Sequence, residues 1–350
     1  IGWGYLYSVA GWEVYLPEIV LSSAVVLLFG YLNYKGNKFA AHLQFLMVLC
    51  LLAAVFVIAI GTFFCDQSSA DHLLPFFAPA KGIWGSIAAI VAMSPWIFTG
   101  FETIPQSAEE HNFSPRKAKL LMGGSVLVGA IVFIIMVLAT AFPQPWLNTI
   151  EKGYLWPTGT ITRFALGNAG MTFLAVAISM GIFTCINGLY IASSRLLLSM
   201  GRAGMLPACF AKVDPRYHTP GMATLLVMLT VLAAPWFGRQ VIVWIVDMCA
   251  VGTSIGYLYA CISAYRISNR KNTCKKDRVF SVAGILLASI FLVLLFIPGS
   301  PGAIGRESTI ALIIWIALGA IFYAASFKRM RRIPQAERMK EVFGFWLEET

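Results

Sequence analysis

Nine stretches of this chain are each long and apolar enough to cross a bilayer. They lie at roughly 17–33, 42–64, 84–106, 118–142, 170–198, 220–237, 240–265, 279–297 and 308–327. A hydrocarbon core of ~30 Å takes ~20 apolar residues in a helix. Inside it every backbone N–H and C=O must find a partner within the protein, which leaves helices and closed barrels. Barrel strands would alternate in hydropathy over ~10 residues, and these stretches do not alternate. The chain is therefore read as an all-α, polytopic membrane protein. Charged residues make up 12% of the 350, against about 25% in soluble domains, which excludes a water-soluble fold.

The net charge of +10 is explained by topology. Segments on one side of the nine spans hold 21 of the 26 Lys and Arg residues, and those on the other keep Lys81, Lys152, Arg163, Arg239 and Arg306. Basic residues near span ends mark the cytoplasmic side. This predicts a multi-pass protein of the cell membrane with a cytoplasmic C-terminus, and no nucleic-acid partner. The chain divides into a membrane domain, 1–330, and a basic tail, 331–350, lying along the inner surface. Seven cysteines show no CxxC or Cys/His spacing and read as small buried hydrophobes, without a metal. Ile1–Trp12 is apolar but too short to span, and reads as the end of a helix whose upstream sequence is missing. The segment Pro143–Gly167, with Trp146 and Trp156, reads as an interfacial lid or as a solvated loop.

The stretch Ser94-Pro-Trp-Ile-Phe-Thr-Gly-Phe-Glu102 interrupts the third apolar segment. Pro95 removes a backbone donor, Gly100 weakens a helix, and Glu102 is an ionisable group at membrane depth. A lone proline kink is common, because a nearby Ser or Thr can satisfy the freed carbonyl. Together with Thr99, these residues predict a broken helix whose exposed backbone groups hold a polar substrate. Trp96, Phe98 and Phe101 would wall that site. Glu109 and Glu110 follow, and read either as an intracellular gate paired with Arg195 or Arg116–Lys119, or as ordinary surface charge. Asn187, Ser193 and Ser194 are polar positions on a later span. The serines suit sodium as oxygen ligands, or serve equally as hydrogen bonds between helices. Asp247 reads as a gate or coupling group, or as a carboxylate wetted by the outer vestibule. An intramembrane enzyme would need paired carboxylates, a Ser/His arrangement or a metal set, whereas the four histidines are scattered.

Several motifs in order resemble the amino acid–polyamine–organocation permeases. They are Gly100-Phe101-Glu102, Ala108-Glu109-Glu110, Ser194-Arg195-Leu196, Arg202-Ala-Gly-Met-Leu-Pro207, Pro215-Arg216, Thr219-Pro220 and Asn33-Tyr-Lys-Gly36. The resemblance covers about residues 1–330. It implies a twelve-helix fold with an inverted five-plus-five repeat, in which the nine spans are helices four to twelve. The first broken helix, which supplies the other half of the site, would lie outside this sequence. The resemblance further implies amino acid transport by alternating access. Substrate would sit beside Trp96, Ile97, Phe98, Thr99, Gly100 and Glu102, with Trp96 as an aromatic gate, and Asn187 and Leu189 would face it from helix eight. A polyamine or organic amine exchanger is the alternative, in which Glu102 neutralises a cationic substrate or acts as a protonated pH switch. No cofactor is implied beyond Na+ or H+ coupling. His42–Phe64 lacks the lysine that some proton-coupled members carry.

Overall fold

A computed structural model describes residues 3–9, 11–36, 38–108, 113–154, 156–238, 240–270, 275–300, 302–332 and 334. Each of the nine apolar segments is helical over all or most of its length. Seven helices reach span length, at Leu16–Lys35, His42–Phe63, Arg116–Ala141, Pro157–Arg202, Val241–Arg270, Lys275–Phe296 and Arg306–Phe327. Leu28, Leu120, Val137, Ile290 and Ile316 on these helices are all more than half exposed. Apolar exposure on that scale requires a bilayer or another protein.

The chain forms two compact units. The first comprises residues 1–22, 78–99 and 233–325. Strands β1 (Tyr5–Val9) and β2 (Trp12–Tyr15) open it as an antiparallel hairpin. This corrects the reading of Ile1–Trp12 as the end of a helix, while the other elements of the chain are helical, as the all-α class requires. Alternating aromatic and β-branched residues favour a strand, and Gly11, at φ +83°, closes the turn. The Tyr7 hydroxyl donates to the Trp236 carbonyl at 2.5 Å, tying the hairpin down. The unit also contains α3 (Gly82–Ile97), α9 (Gln240–Arg270), α10 (Lys275–Phe296) and the part of α11 (Arg306–Arg332) up to residue 325. Ala250, Val251 and Leu295 form its core, flanked by Leu292, Ile304 and Leu312. Helices α9 and α10 approach closely because Gly284 has no Cβ, which would stand 2.6 Å from Cys261 Sγ.

The second unit comprises residues 23–77, 100–232 and 326–350. It holds most of α1 (Leu16–Lys35), with α2 (Lys38–Phe63), α4 (Thr103–Gln106), α5 (Pro115–Ala141), α6 (Trp146–Glu151), α7 (Pro157–Arg202) and α8 (Gly221–Ala233). Helix α2 packs along α7, and Val26, Phe29, Met47 and Tyr190 form the main core. The segment read as a lid or loop is largely helical, comprising α6 and the first turns of α7. Gly167, at φ +62°, kinks α7 and separates those turns from the apolar span. The span at 220–237 ends as a 3-10 turn over Ala234–Phe237, where Pro235 cannot continue an α-helical ladder. Of the tail, residues 335–350 lie outside the described residues.

The link after α1 is tightly built. Gly36 sits at φ +58°, and a Cβ there would stand 2.5 Å from Thr219 Cγ2 and 2.9 Å from the Tyr217 carbonyl. The Thr219 hydroxyl donates to the Tyr34 carbonyl at 2.6 Å. Replacing Gly36 with Ala combines strain with collision. We expect Gly36→Ala to lower stability by ~1–3 kcal/mol, read as a reduced midpoint in thermal unfolding of the detergent-solubilised protein.

Candidate functional site

Helix α3 does not stop at its proline. Pro95 has no N–H for the Val91 carbonyl, and the Ser94 hydroxyl donates to that oxygen instead, at 2.8 Å. One turn later the ladder continues, with the Phe98 amide donating to the Ser94 carbonyl at 3.1 Å. The helix ends at Ile97, and residues 98–102 form turns before α4. The expected break is therefore present but falls after the proline, at Gly100. This residue has φ +131°, a conformation that side chains rarely adopt.

Glu102 explains how an unwound turn and an ionisable group coexist here. Its Oε2 accepts the Gly100 N–H at 2.9 Å. The Gly100 carbonyl takes both the Thr103 amide, at 3.1 Å, and the Thr103 hydroxyl, at 2.8 Å. The Ser107 hydroxyl closes on the Thr103 carbonyl at 2.7 Å. Ile97, Phe98, Thr99, Gly100, Phe101 and Glu102 are all half-buried. Thr99 is the last residue of its stretch of the first unit, and Gly100 begins the next stretch of the second. The Trp96 side chain lies outside the described residues, as do Glu109 and Glu110.

On α7, Asn187 is buried in an amide network. Its Nδ2 donates to Gln44 Oε1 and its Oδ1 accepts from Asn33 Nδ2, both at 2.8 Å. Asn33 also donates to the Phe29 carbonyl, and Gln44 to the Thr184 carbonyl. The network joins α1, α2 and α7, so both ends of the Asn187 amide are engaged inside the fold. Gln44 was not singled out from the sequence, and Asn33 only as part of a motif, although an amide in each of two apolar helices was the signal. Leu189 is exposed, Ser193 half-buried and Ser194 fully buried. The Ser194 hydroxyl donates to the Ile191 carbonyl at 3.0 Å and accepts from Arg195 Nη1 at 2.8 Å.

Asp247 belongs to the first unit, where its Oδ2 accepts from the buried Ser308 hydroxyl at 2.5 Å and from the Gly305 amide at 3.4 Å. A carboxylate at the start of α11 meets the positive end of that helix. This gives Asp247 a structural role that its position in the sequence did not reveal. Among the described residues no cluster of three His, Cys, Asp or Glu side chains could hold a metal. An apolar cavity of about 330 Å³, lined among others by Val137, Trp146, Thr149 and Ile161, contains none of the residues expected at the site.

A family model described as amino acid permease matches residues 3–320. Among curated relatives, the branched-chain amino acid permease BcaP of Lactococcus lactis subsp. cremoris (strain MG1363) is 23% identical over 324 residues, covering 89% of this chain and 67% of its own. The methylthioribose transporter of Bacillus subtilis (strain 168) is 24% identical, over 90% of this chain and 65% of its own. The low-affinity putrescine importer PlaP of Escherichia coli (strain K12) is 25% identical, over 93% and 73%. The chain thus spans about two thirds of the length of the first two and somewhat more of the third.

The pairing of Ser94 with Pro95 can be tested alone. Ser94→Ala should destabilise by ~1 kcal/mol by orphaning the Val91 carbonyl. Pro95→Ala would restore an amide to that carbonyl, so Ser94→Ala should cost markedly less in a Pro95→Ala background. Thermal unfolding of the four proteins in a double-mutant cycle checks this, and additive effects would refute the pairing.

Proposed function

Because the chain belongs to the amino acid permease family, we propose that it carries amino acids across the membrane by alternating access, with substrate held beside Trp96–Glu102. The unwound turn at 98–102, inside an apolar segment, is the observation that carries this reading. A turn released from helical pairing can offer backbone groups to a zwitterion, and Phe98 and Phe101 supply apolar contact. In this reading Glu102 would meet a substrate ammonium. The protein in this reading has a twelve-helix inverted-repeat fold in the cell membrane, with the nine segments as helices four to twelve and the C-terminus in the cytoplasm. Asn187 and Leu189 would face the substrate from helix eight, and the first broken helix would supply the other half of the site. Glu109, Glu110 and Arg195 form the inner gate, Asp247 a coupling group, and Ser193 and Ser194 an ion site if transport is coupled to sodium.

A second reading, exchange of polyamines or other organic amines, is supported by the carboxylate at the turn and by similarity to a putrescine importer. Uptake of radiolabelled leucine, lysine and putrescine by the full-length protein in proteoliposomes separates the two. We expect accumulation or exchange of amino acids under a sodium or proton gradient. Failure to move any amino acid or amine under either gradient would refute the transport proposal.

Glu102→Gln tests the site itself. Loss of a charge-assisted contact should lower uptake by about tenfold or more. An unchanged rate would remove Glu102 from the mechanism.

A further inference from the structure

Where α1 ends, the second unit builds a corner of two cations among three tyrosines. Lys35 Nζ lies 4.7 Å from the centre of the Tyr31 ring, and Arg216 Cζ lies 5.2 Å from that of Tyr217. The Tyr217 and Tyr34 rings are 5.8 Å apart, and Arg216 and Tyr217 are both within electrostatic reach of Lys35. The corner is held by backbone. Besides the Gly36 and Thr219 contacts above, the Asp214 amide donates to the Thr219 carbonyl at 2.8 Å and the His218 amide returns to the Asp214 carbonyl at 2.9 Å. Asp214 Oδ1 accepts the amides of Arg216, at 2.8 Å, and Tyr217, at 3.1 Å, so this carboxylate closes the turn. Lys35 and Arg216 both remain exposed.

Ala24, Leu28, Tyr31 and Lys35 are spaced to share one face of the helix, and all four are exposed. An apolar stripe therefore runs along α1 and ends at the cation. Lys35 and Arg216 both present cationic heads at this exposed corner, and an anion would be drawn to them. A free anion would satisfy the cations but leave the stripe unused. An anionic phospholipid matches both parts, with its phosphate between Lys35 and Arg216 and an acyl chain along Leu28 and Ala24. Tyrosine suits the boundary, having an apolar ring and a hydroxyl for the headgroup.

We propose that this corner binds the headgroup of an anionic phospholipid, with α1 as the track for its chain. Native mass spectrometry of the detergent-purified full-length protein, titrated with phosphatidylglycerol or phosphatidylcholine, tests it. The unaltered protein should retain phosphatidylglycerol over phosphatidylcholine. With ~1 kcal/mol per basic residue, Lys35→Gln or Arg216→Gln should each weaken that retention about fivefold, and the pair about thirtyfold. Lys117→Gln, an exposed cation at the start of α5, should leave it unchanged. Equal loss in Lys117→Gln would mean diffuse attraction and overturn the site. Full displacement by millimolar inorganic phosphate would identify an ion site and overturn the lipid. Retention by the double variant, with its elution and melting unaltered, would refute the proposal outright.

Discussion

Hydrocarbon supplies no hydrogen-bond partner, so any interruption of a membrane helix has to be closed from within the chain. That constraint organises α3 and α4. Pro95 deprives the Val91 carbonyl of its amide, and Ser94 replaces it. Gly100 leaves the helix, and Glu102 and Thr103 take its N–H and C=O. The same economy recurs along the spans, where Thr62, Thr184 and Thr253 return their hydroxyls to carbonyls of the preceding turn. The break is thus a stable piece of backbone with defined partners.

Helices already in lipid gain little further hydrophobic drive when they associate, so close packing and buried polar contacts must hold them. Both are visible here. Missing Cβ atoms let Met228 reach Gly30 and Cys261 reach Gly284. The amides of Asn33, Gln44 and Asn187 connect three helices of one unit. Asp247 ties α9 to the start of α11 in the other. Polar residues inside the spans therefore have structural duties whether or not they also meet substrate.

Several elements were legible because their signal is local. The nine apolar segments are all helical, and the cluster of Pro95, Gly100 and Glu102 marked an interruption. Its position was less legible, since a proline is a breaker only when its orphaned carbonyl stays unpaired, and Ser94 one residue earlier prevents that. The hairpin was missed because apolarity outweighed the alternation between Tyr5 and Tyr15. The helical start of α7 was missed because prolines and tryptophans suggested a loop, while the kink depends on the single residue Gly167.

By itself the sequence determined the membrane class and the family, through the length and apolarity of its segments and the order of its short motifs. Those properties follow from transfer of side chains into hydrocarbon and from covalent spacing, which need no knowledge of neighbours. Only the tertiary structure decided which polar groups meet. Asn187 finds Asn33 and Gln44, 154 and 143 positions away, and Asp247 finds Ser308, 61 away. Hydrogen bonds act over about 3 Å, so a partner that distant in the chain is chosen by how the helices pack.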